Sequence, residues 1–174
     1  MILWQENESD YKATEEVIRK AFENVDISDK NEHILVQKLR KGDSFIPELS
    51  LVAEVDSQIV GHILFTSAPI LGEESYKSLT LAPLSVLPAY QNKGIGKKLI
   101  RTGLQKAITM GFESVTVVGH PDYYPRFGFR KASNWGIKFP IEVPDEAFMA
   151  IELVKNSLHG KSGVVKYAPE FEIG

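Results

Sequence analysis

The apolar residues of this chain follow two spacings, and the changes between them divide it into helices and strands. Apolar residues three and four positions apart, as at Val17, Ile18, Ala21 and Phe22, are typical of a helix with one buried face. Unbroken or alternating apolar runs between turn residues predict strands instead. Both patterns occur repeatedly along the sequence, which favours a protein that mixes helices with a sheet.

In chain order, the first half predicts a strand at Ile2–Trp4 and then a helix capped by Ser9 or Asp10. A second helix is predicted from about Ser28 or Asp29 to Gly42, with Ile34, Leu35 and Leu39 as its apolar face. Two strands follow, Leu49–Val55 and Ile59–Ser67, joined by a hairpin at Asp56-Ser57-Gln58. The second half predicts a turn at 72–75, strand Leu79–Val86, a long helix from Lys93 or Gly94 that Gly111 ends, strand Ser114–Val118, a short helix at Tyr123–Phe127, and strands Phe148–Leu153 and Val164–Tyr167. This order predicts an α/β fold around one sheet, in a single domain over residues 1–174.

The long helix has a predicted buried stripe and an unusual beginning. Its apolar positions are Ile95, Leu99, Ile100, Leu104, Ala107 and Ile108. The first amides of a helix have no partner within it, and glycine lets a ligand approach the backbone closely. Gly94 and Gly96 lie there together with three lysines, so the helix dipole, the free amides and the positive charge all favour a bound anion. A plain strand-to-helix turn is the alternative.

Known phosphate loops do not match this stretch. A Walker loop requires glycine at Gln91 and serine or threonine at Lys98, and the dinucleotide fingerprint requires a third glycine at Leu99. The full pattern from Leu84, with Val86, Pro88, Gln91, Gly94 and Gly96, instead resembles the acyl-CoA signature of the GCN5-related N-acetyltransferase (GNAT) superfamily. The resemblance implies the GNAT fold, in which a mixed, mostly antiparallel sheet is split by a V-shaped splay and has helices on both faces.

The resemblance also implies residue roles. The amides of residues 92–97 would hold the pyrophosphate of coenzyme A, the backbones of Leu84 and Val86 would pair with the pantetheine arm, and the Val86 amide would polarise the thioester carbonyl. The residues implied in binding acetyl-CoA are Leu84, Ser85, Val86, Gln91, Asn92, Lys93, Gly94, Ile95, Gly96 and Lys97. Independently of the family, Pro83 marks a bulge or a broken pairing, because proline lacks an N–H.

A second group of residues follows the strand that ends near Gly119. Tyr124, Gly128 and Phe129 match the Tyr-x-x-x-Gly-Phe marker of the superfamily, in which the tyrosine protonates the departing thiolate. A phenol of pKa ~10 is a reasonable acid toward a thiolate whose thiol has a pKa of ~8.5. An aromatic lid that packs the short helix onto the sheet is the structural alternative. We expect Tyr124 to be the general acid and Tyr123 to serve packing.

The wider sequence is similar to the bacterial YhbS-like branch of the superfamily. The similarity rests on a Pro-x-Glu-x-Phe-Met run from Pro144 and on a C-terminal Gly-x-Val-x-Tyr that ends at Tyr167. The resemblance implies a direct transfer of the acetyl group to an acceptor amine, on a small molecule or a protein. A non-catalytic acyl-CoA-binding module of the same fold is the alternative, and a nucleotide-binding protein is a third, disfavoured hypothesis.

A general base is not assigned from the sequence. Many superfamily members carry a carboxylate on the strand that enters the CoA loop, but residues 78–86 contain neither Asp nor Glu. Candidates elsewhere are Glu54, His62, His120 and Asp122. A histidine within a strand, as at His62, is more often packed and hydrogen-bonded, and Pro121 favours a turn-stabilising role for His120.

Composition narrows the remaining choices. The 174 residues are 43% apolar and 25% charged, as in ordinary globular domains, and carry a net charge of -3. No basic face is evident to bind nucleic acid. The absence of cysteine excludes disulfides, thiolate metal sites and a cysteine acyl-enzyme, and the four histidines form no metal motif. We therefore expect a cytoplasmic protein that requires no metal and contacts neither membrane nor nucleic acid; a homodimer stays open.

Overall fold

The structure is a computed structural model that describes residues 1–173. Over this range the chain forms three α-helices, α1 Tyr11–Phe22, α2 Glu32–Arg40 and α3 Ile95–Thr109. Its strands are β1 Ile2–Gln5, β2 Phe45–Val55, β3 Gln58–Ser67, β4 Ile70–Leu71, β5 Ser75–Tyr76, β6 Leu79–Val86, β7 Ser114–Val118, β8 Arg130–Lys131, β9 Ile137–Lys138, β10 Phe148–Glu152 and β11 Gly163–Val165. Short 3₁₀ turns include Pro88–Tyr90 and Tyr124–Phe127. The predicted α/β class is confirmed.

The chain divides into two compact units. Unit 1 comprises Met1–Phe65 and Ala82–Lys106, and unit 2 comprises Thr66–Leu81 and the residues from Ala107 onward. Strand β6 therefore supplies its first three residues to unit 2 and the rest to unit 1.

Strands of unit 1 lie in the order β1-β2-β3-β6. β1 and β2 are antiparallel, with Ile2 opposite Glu54. The predicted hairpin between β2 and β3 is confirmed, and Asp56 and Ser57 have φ values of 51° and 63°. Positive φ at both central residues is what a type I′ turn requires. The amide of Leu87 donates to the Val60 carbonyl at 2.9 Å, so the end of β6 is fastened to the beginning of β3.

Helix α3 packs closely on β3 because two glycines leave room for it. A Cβ at Gly103 would lie 2.3 Å from the Phe65 ring, and a Cβ at Gly61 would lie 3.0 Å from the side chains of Ile95 and Leu99. The predicted apolar stripe of α3 is confirmed at five buried residues, which are Ile95, Leu99, Ile100, Leu104 and Ala107. The close packing fixes the beginning of α3, where the candidate ligand-binding amides lie.

The N-terminal helices differ from the sequence prediction in position and phase. α1 buries Val17 and Ile18 as predicted, but α2 begins at Glu32, later than the predicted Ser28 or Asp29. Its buried apolar residues are Val36 and Leu39, whereas Ile34 is 38% exposed. The side chain of Arg40, which pairs with Glu6, is buried too and lies one turn after Val36 on the same face of α2.

Unit 2 contains the pairing of β6 with β7, which is parallel and joins Leu79 to Val115 and Thr80 to Thr116. β10 pairs with β7 in the antiparallel direction, and β8 lies on the other side of β10. A second sheet has the order β5-β4-β11-β9. Ile70, Phe148 and Leu158 belong to the apolar cluster of this unit.

A few predicted boundaries in this half of the chain need correction. The late strands are shorter than predicted, ending at Glu152 and Val165. Ile108 is 39% exposed rather than buried, because it lies in the last turn of α3, next to the turn that Gly111 makes with a φ of 90°. The peptide bond between Ala82 and Pro83, where a bulge or broken pairing was predicted, is cis.

Candidate active site

The loop between β6 and α3 exposes backbone donors. Asn92 and Gly94 have φ values of 62° and 85°, and the loop residues 91–94 are exposed to solvent. Lys98 donates its amide to the Gly94 carbonyl at 3.1 Å, which begins the helical pattern, so the amides of residues 95–97 precede the first helical bond. Nothing lies within 4 Å of a Cβ built on Gly94. The space above the loop is therefore open to a ligand.

The charge of this loop suits an anion. Lys93, Lys97 and Lys98 are all exposed, and the ammonium of Lys93 lies 5.6 Å from the centre of the Tyr90 ring. The positive end of α3 points the same way. Free amides, lysines and an uncovered glycine together fit a diphosphate, the group that the sequence signature implies.

Two side chains of the signature are directed at the protein itself. The Gln91 side-chain amide donates to the Val86 carbonyl at 3.0 Å, which ties the loop to the end of β6. Ile95 is 4% exposed and its side chain lies against Gly61 of β3, so its amide and not its side chain is available to a ligand. Along β6, Ser85 is buried while Leu84 and Val86 are partly exposed.

Tyr124 lies in unit 2, at the start of a 3₁₀ turn among aromatic rings. Its ring is 5.2 Å from Tyr123 and 5.7 Å from Phe129, measured between centroids. A Cβ at Gly119 would lie 2.3 Å from the Tyr124 ring, so glycine lets the ring lie against the end of β7. Burial, reinforced by Tyr123, raises the pKa of Tyr124 further above its usual value. The phenol therefore keeps its proton at neutral pH.

The candidate bases named from the sequence have separate surroundings. The His120 side chain is 71% exposed, and its Nδ1 accepts the Asp122 amide at 3.3 Å, the turn-stabilising role that Pro121 favoured. Asp122 is exposed as well. Glu54 lies in β2 opposite Ile2. His62 is fully buried and hydrogen-bonded, as predicted for a histidine within a strand.

His62 belongs to a buried polar network in unit 1 that the sequence did not reveal. Its Nε2 lies 2.9 Å from the Ser50 hydroxyl, which donates to Glu6 Oε1 at 2.8 Å. Arg40 Nη2 donates to the other Glu6 oxygen at 2.8 Å, and Arg40 also pairs with Glu15. We call Glu6, Glu15, Arg40, Ser50 and His62 the buried network.

Electrostatics in this network keep His62 neutral. Burial lowers the pKa of His62 to about 4, the Glu6 carboxylate opposes that change, and Arg40 adds to it. The Ser50 hydroxyl gives its single proton to Glu6, so it accepts a hydrogen bond from the Nε2–H of His62. The neutral imidazole then carries its lone pair on Nδ1, and this atom has no partner among residues 1–173. Glu6 stands in the polar run Gln5-Glu6-Asn7-Glu8, which gives no sign of burial.

Among residues 1–173, no group of three or more His, Asp or Glu side chains is arranged to hold a metal ion. In the same range, no helix is both long enough and apolar enough to cross a membrane.

Comparison with known proteins places these features in a family. The model of the acetyltransferase (GNAT) family matches residues 7–129. The protein named uncharacterized N-acetyltransferase YjhQ, from Escherichia coli K12, is 46% identical over 114 residues, which are 64% of this chain and 63% of that protein. Uncharacterized N-acetyltransferase YhbS from the same organism is 30% identical over 172 residues, 98% of each chain.

Solved structures agree with the sequence relatives. The crystal structure of E. coli YhbS in complex with CoA has a TM-score of 0.89 and 28% identity, covering 99% of this chain and 92% of that one. A GNAT family acetyltransferase from Brucella melitensis in complex with acetyl-CoA has a TM-score of 0.81 and 33% identity, covering 98% and 97%. The GNAT fold implied by the sequence is confirmed, and so is the similarity to YhbS. The chain belongs to the acetyltransferase (GNAT) family.

Proposed function

We propose that this protein transfers an acetyl group from acetyl-CoA directly to an acceptor amine, and that residues 1–174 act as one N-acetyltransferase domain. The observation that carries the proposal is the loop before α3, whose exposed amides, lysines and open glycine suit a diphosphate. The family match and the two related structures with CoA and acetyl-CoA support it. Acetyl-CoA supplies the thioester whose carbonyl the amine attacks.

The binding role belongs to the loop and the end of β6. The amides of residues 92–97 hold the pyrophosphate, and the backbones of Leu84 and Val86 pair with the pantetheine arm beside Ser85. Gln91 keeps the loop in register with Val86 through its side-chain hydrogen bond. This hydrogen bond therefore fixes the position of the pyrophosphate-binding loop relative to the strand that pairs with the pantetheine arm.

The chemical roles belong to Val86 and Tyr124. The Val86 amide stabilises the oxyanion that forms as nitrogen attacks carbon, and a preorganised donor of this kind is worth on the order of 3 kcal/mol. The carbon–sulfur bond then breaks, and Tyr124 gives its proton to the departing thiolate and regains one from water. The raised pKa of Tyr124 ensures that the proton is present at neutral pH, and a desolvated thiolate accepts it more readily than one in water.

A direct experiment separates this function from its main alternative, a non-catalytic acyl-CoA-binding module. The lack of any Asp or Glu in residues 78–86 favours that alternative. Titration calorimetry with acetyl-CoA measures binding, and thiol release across a panel of amines measures transfer. Binding with thiol release confirms the enzyme. Binding without release on any amine favours the module, and no binding overturns both.

Replacing Tyr124 by phenylalanine tests the general acid. We expect kcat to fall by about 10²–10³, since general acid catalysis contributes effects of this size, while the Kd for acetyl-CoA stays unchanged. The matched control is Tyr123→Phe, which removes the neighbouring hydroxyl and should leave kcat nearly unaltered. Equal kcat values for Tyr124→Phe and the native protein across the pH range would remove Tyr124 from the mechanism.

A further inference from the structure

The second sheet of unit 2, in the order β5-β4-β11-β9, has one buried face and one exposed face. Ile70, Ile137 and Val165 are buried and belong to the apolar cluster of the unit. Their chain neighbours Leu71 and Val164 are instead 43% and 41% exposed. Successive side chains of a strand point to opposite faces of a sheet, so Leu71 and Val164 lie on the exposed face. They are partners in the antiparallel pairing of β4 with β11, and their side chains therefore form one apolar patch.

Two lysines lie on the same face as this patch. The amide of Lys166 donates to the Pro69 carbonyl at 2.8 Å, which continues the pairing of β11 with β4 by one residue. Lys166 thus stands two positions after Val164, and its side chain lies on the same side of the sheet. Lys138 is the partner of Val164 in the parallel pairing of β11 with β9, so it lies on that side as well. We call Leu71, Lys138, Val164 and Lys166 the outer face.

The positive charge of the outer face is not compensated within the chain. Both lysines are exposed, and their ammonium groups make no hydrogen bond, ion pair or ring contact with any of residues 1–173. By contrast, the ammonium of Lys131 in the same unit lies 3.6 Å from the Asp145 carboxylate. Uncompensated positive charge therefore stands beside an apolar patch. An anion with an apolar body is the ligand that would match both.

The outer face also forms part of a cavity within unit 2. Leu71, Val164 and Lys166 line this cavity, whose volume of about 570 Å³ is in the range of sites for small molecules. The rest of its apolar lining includes Pro140, Pro169 and Ile173. Glu172 is the other charged residue of the lining, and it already takes part in an interaction within the chain. The ammonium of Lys166 is therefore the charge that the lining offers to a ligand.

We propose that this cavity binds a small organic acid, whose carboxylate pairs with the ammonium of Lys166 and whose aromatic or branched aliphatic body covers Leu71 and Val164. Lys138 adds positive charge on the same face and favours the anion further. A purely apolar ligand would leave the charge unused, and a small inorganic anion would leave the apolar patch in water. None of residues 84–97 lines the cavity, and neither does Tyr124, so this site goes beyond the proposed function.

The test compares two probes that share one apolar body and differ in charge, phenylbutyrate and phenylbutylamine, by NMR titration of the full chain. We expect phenylbutyrate to bind with a Kd on the order of 1 mM, the size expected for a ligand with about twelve non-hydrogen atoms. The amine should bind at least about fivefold more weakly, because it cannot pair with Lys166. At 1 M salt the difference between the probes should shrink, since exposed charges are screened.

Two variants and a control assign the binding to this cavity. Lys166→Gln should raise the Kd for phenylbutyrate about fivefold at low salt. Val164→Thr keeps the branched shape but puts a hydroxyl in the apolar wall, and should raise it about threefold. The control is Lys155→Gln, which removes an exposed lysine of the same unit that does not line the cavity and should leave the Kd unchanged. All three positions are exposed, so the melting temperature should stay nearly constant.

The proposal is overturned if phenylbutyrate shows no saturable binding up to about 10 mM, tenfold above the expected Kd. Equal Kd values for the two probes, or equal effects of Lys166→Gln and Lys155→Gln, would overturn it as well. So would a weaker binding of phenylbutyrate after Lys93 and Lys97 are both replaced by glutamine, because the acid would then occupy the loop before α3. None of these outcomes alters the titration with acetyl-CoA or the effect of Tyr124→Phe, so failure here differs from failure of the proposed function.

Discussion

Polar groups are buried and paired in one region of unit 1, and exposed and unpaired in another. In the buried network, Glu6 is enclosed and both of its carboxylate oxygens accept hydrogen bonds from Arg40 and Ser50. In the loop before α3, the amides of residues 95–97 precede the first helical bond and three lysines stand in solvent. An enclosed charge must keep its partners for the fold to stay stable, whereas exposed, unpaired donors are available to a ligand. The difference separates structural polar groups from candidate functional ones.

The largest expected effect comes from breaking the network at its centre. Glu6→Gln removes the fully buried carboxylate that faces Arg40 and leaves Glu15 as the remaining charged partner of Arg40. We therefore expect the lower end of the cost of breaking a buried ion pair, about 3 kcal/mol in the free energy of unfolding. Urea unfolding measures the loss. The Kd for acetyl-CoA, measured where the variant is folded, should not change, because the loop amides are untouched.

The matched control for that variant is Glu16→Gln, which breaks an exposed pair with Arg19. We expect no measurable change in stability, since exposed ion pairs contribute little. If Glu6→Gln were as stable as the native protein, the distinction between the two regions would fail.

A second effect is the dependence of stability on pH. The pKa of His62 is about 4 in the folded protein and about 6.5 in the unfolded chain, so the unfolded chain binds more protons between these values. Stability is therefore lost as the pH falls from 6.5 toward 4, by about 3 kcal/mol from His62 alone. Urea unfolding at several pH values measures the slope. His62→Gln should be less stable at pH 7 and should show a shallower slope, and an identical slope would contradict the prediction.

A smaller effect is expected from the charge of the loop. Replacing both Lys93 and Lys97 by glutamine should weaken acetyl-CoA binding about fivefold at low salt, and less at 1 M salt because exposed charges are screened. Calorimetry at the two salt concentrations measures it. Arg101→Gln, an exposed change farther along α3, is the control and should alter neither value. A loss that does not depend on salt would show that the lysines act by shape rather than by charge.

These two regions also differ in how far sequence could predict them. The proposed ligand-binding groups of the loop before α3 are backbone amides. The spacing of its glycines, its proline and the apolar stripe of the helix indicate where such amides lie. The boundaries of this loop were therefore predicted within two residues. The network depends on which side chains meet across the fold. Glu6 stands in a polar run and Arg40 at the basic end of a helix, so neither carries a local sign of burial.

The smaller errors of prediction have the same physical cause. Ile34 was predicted to face the core, but the buried face of α2 carries Val36, Leu39 and the Arg40 side chain that pairs with Glu6. Tyr167 could be recognised as part of a C-terminal motif, but its contact with Thr80 and Thr116 joins segments far apart in the chain. Long-range contacts between polar side chains leave no periodic pattern to read.

Two glycines of matched geometry provide a test of whether the backbone at the beginning of α3 binds the diphosphate. Gly94 and Gly111 lie near opposite ends of α3, have φ values of 85° and 90°, and have nothing within 4 Å of a built Cβ. Replacing either by alanine should lower stability by about 1–2 kcal/mol through backbone strain. We predict that Gly94→Ala raises the calorimetric Kd for acetyl-CoA at least about tenfold and that Gly111→Ala leaves it unchanged. Equal Kd values for the two folded variants would contradict the account.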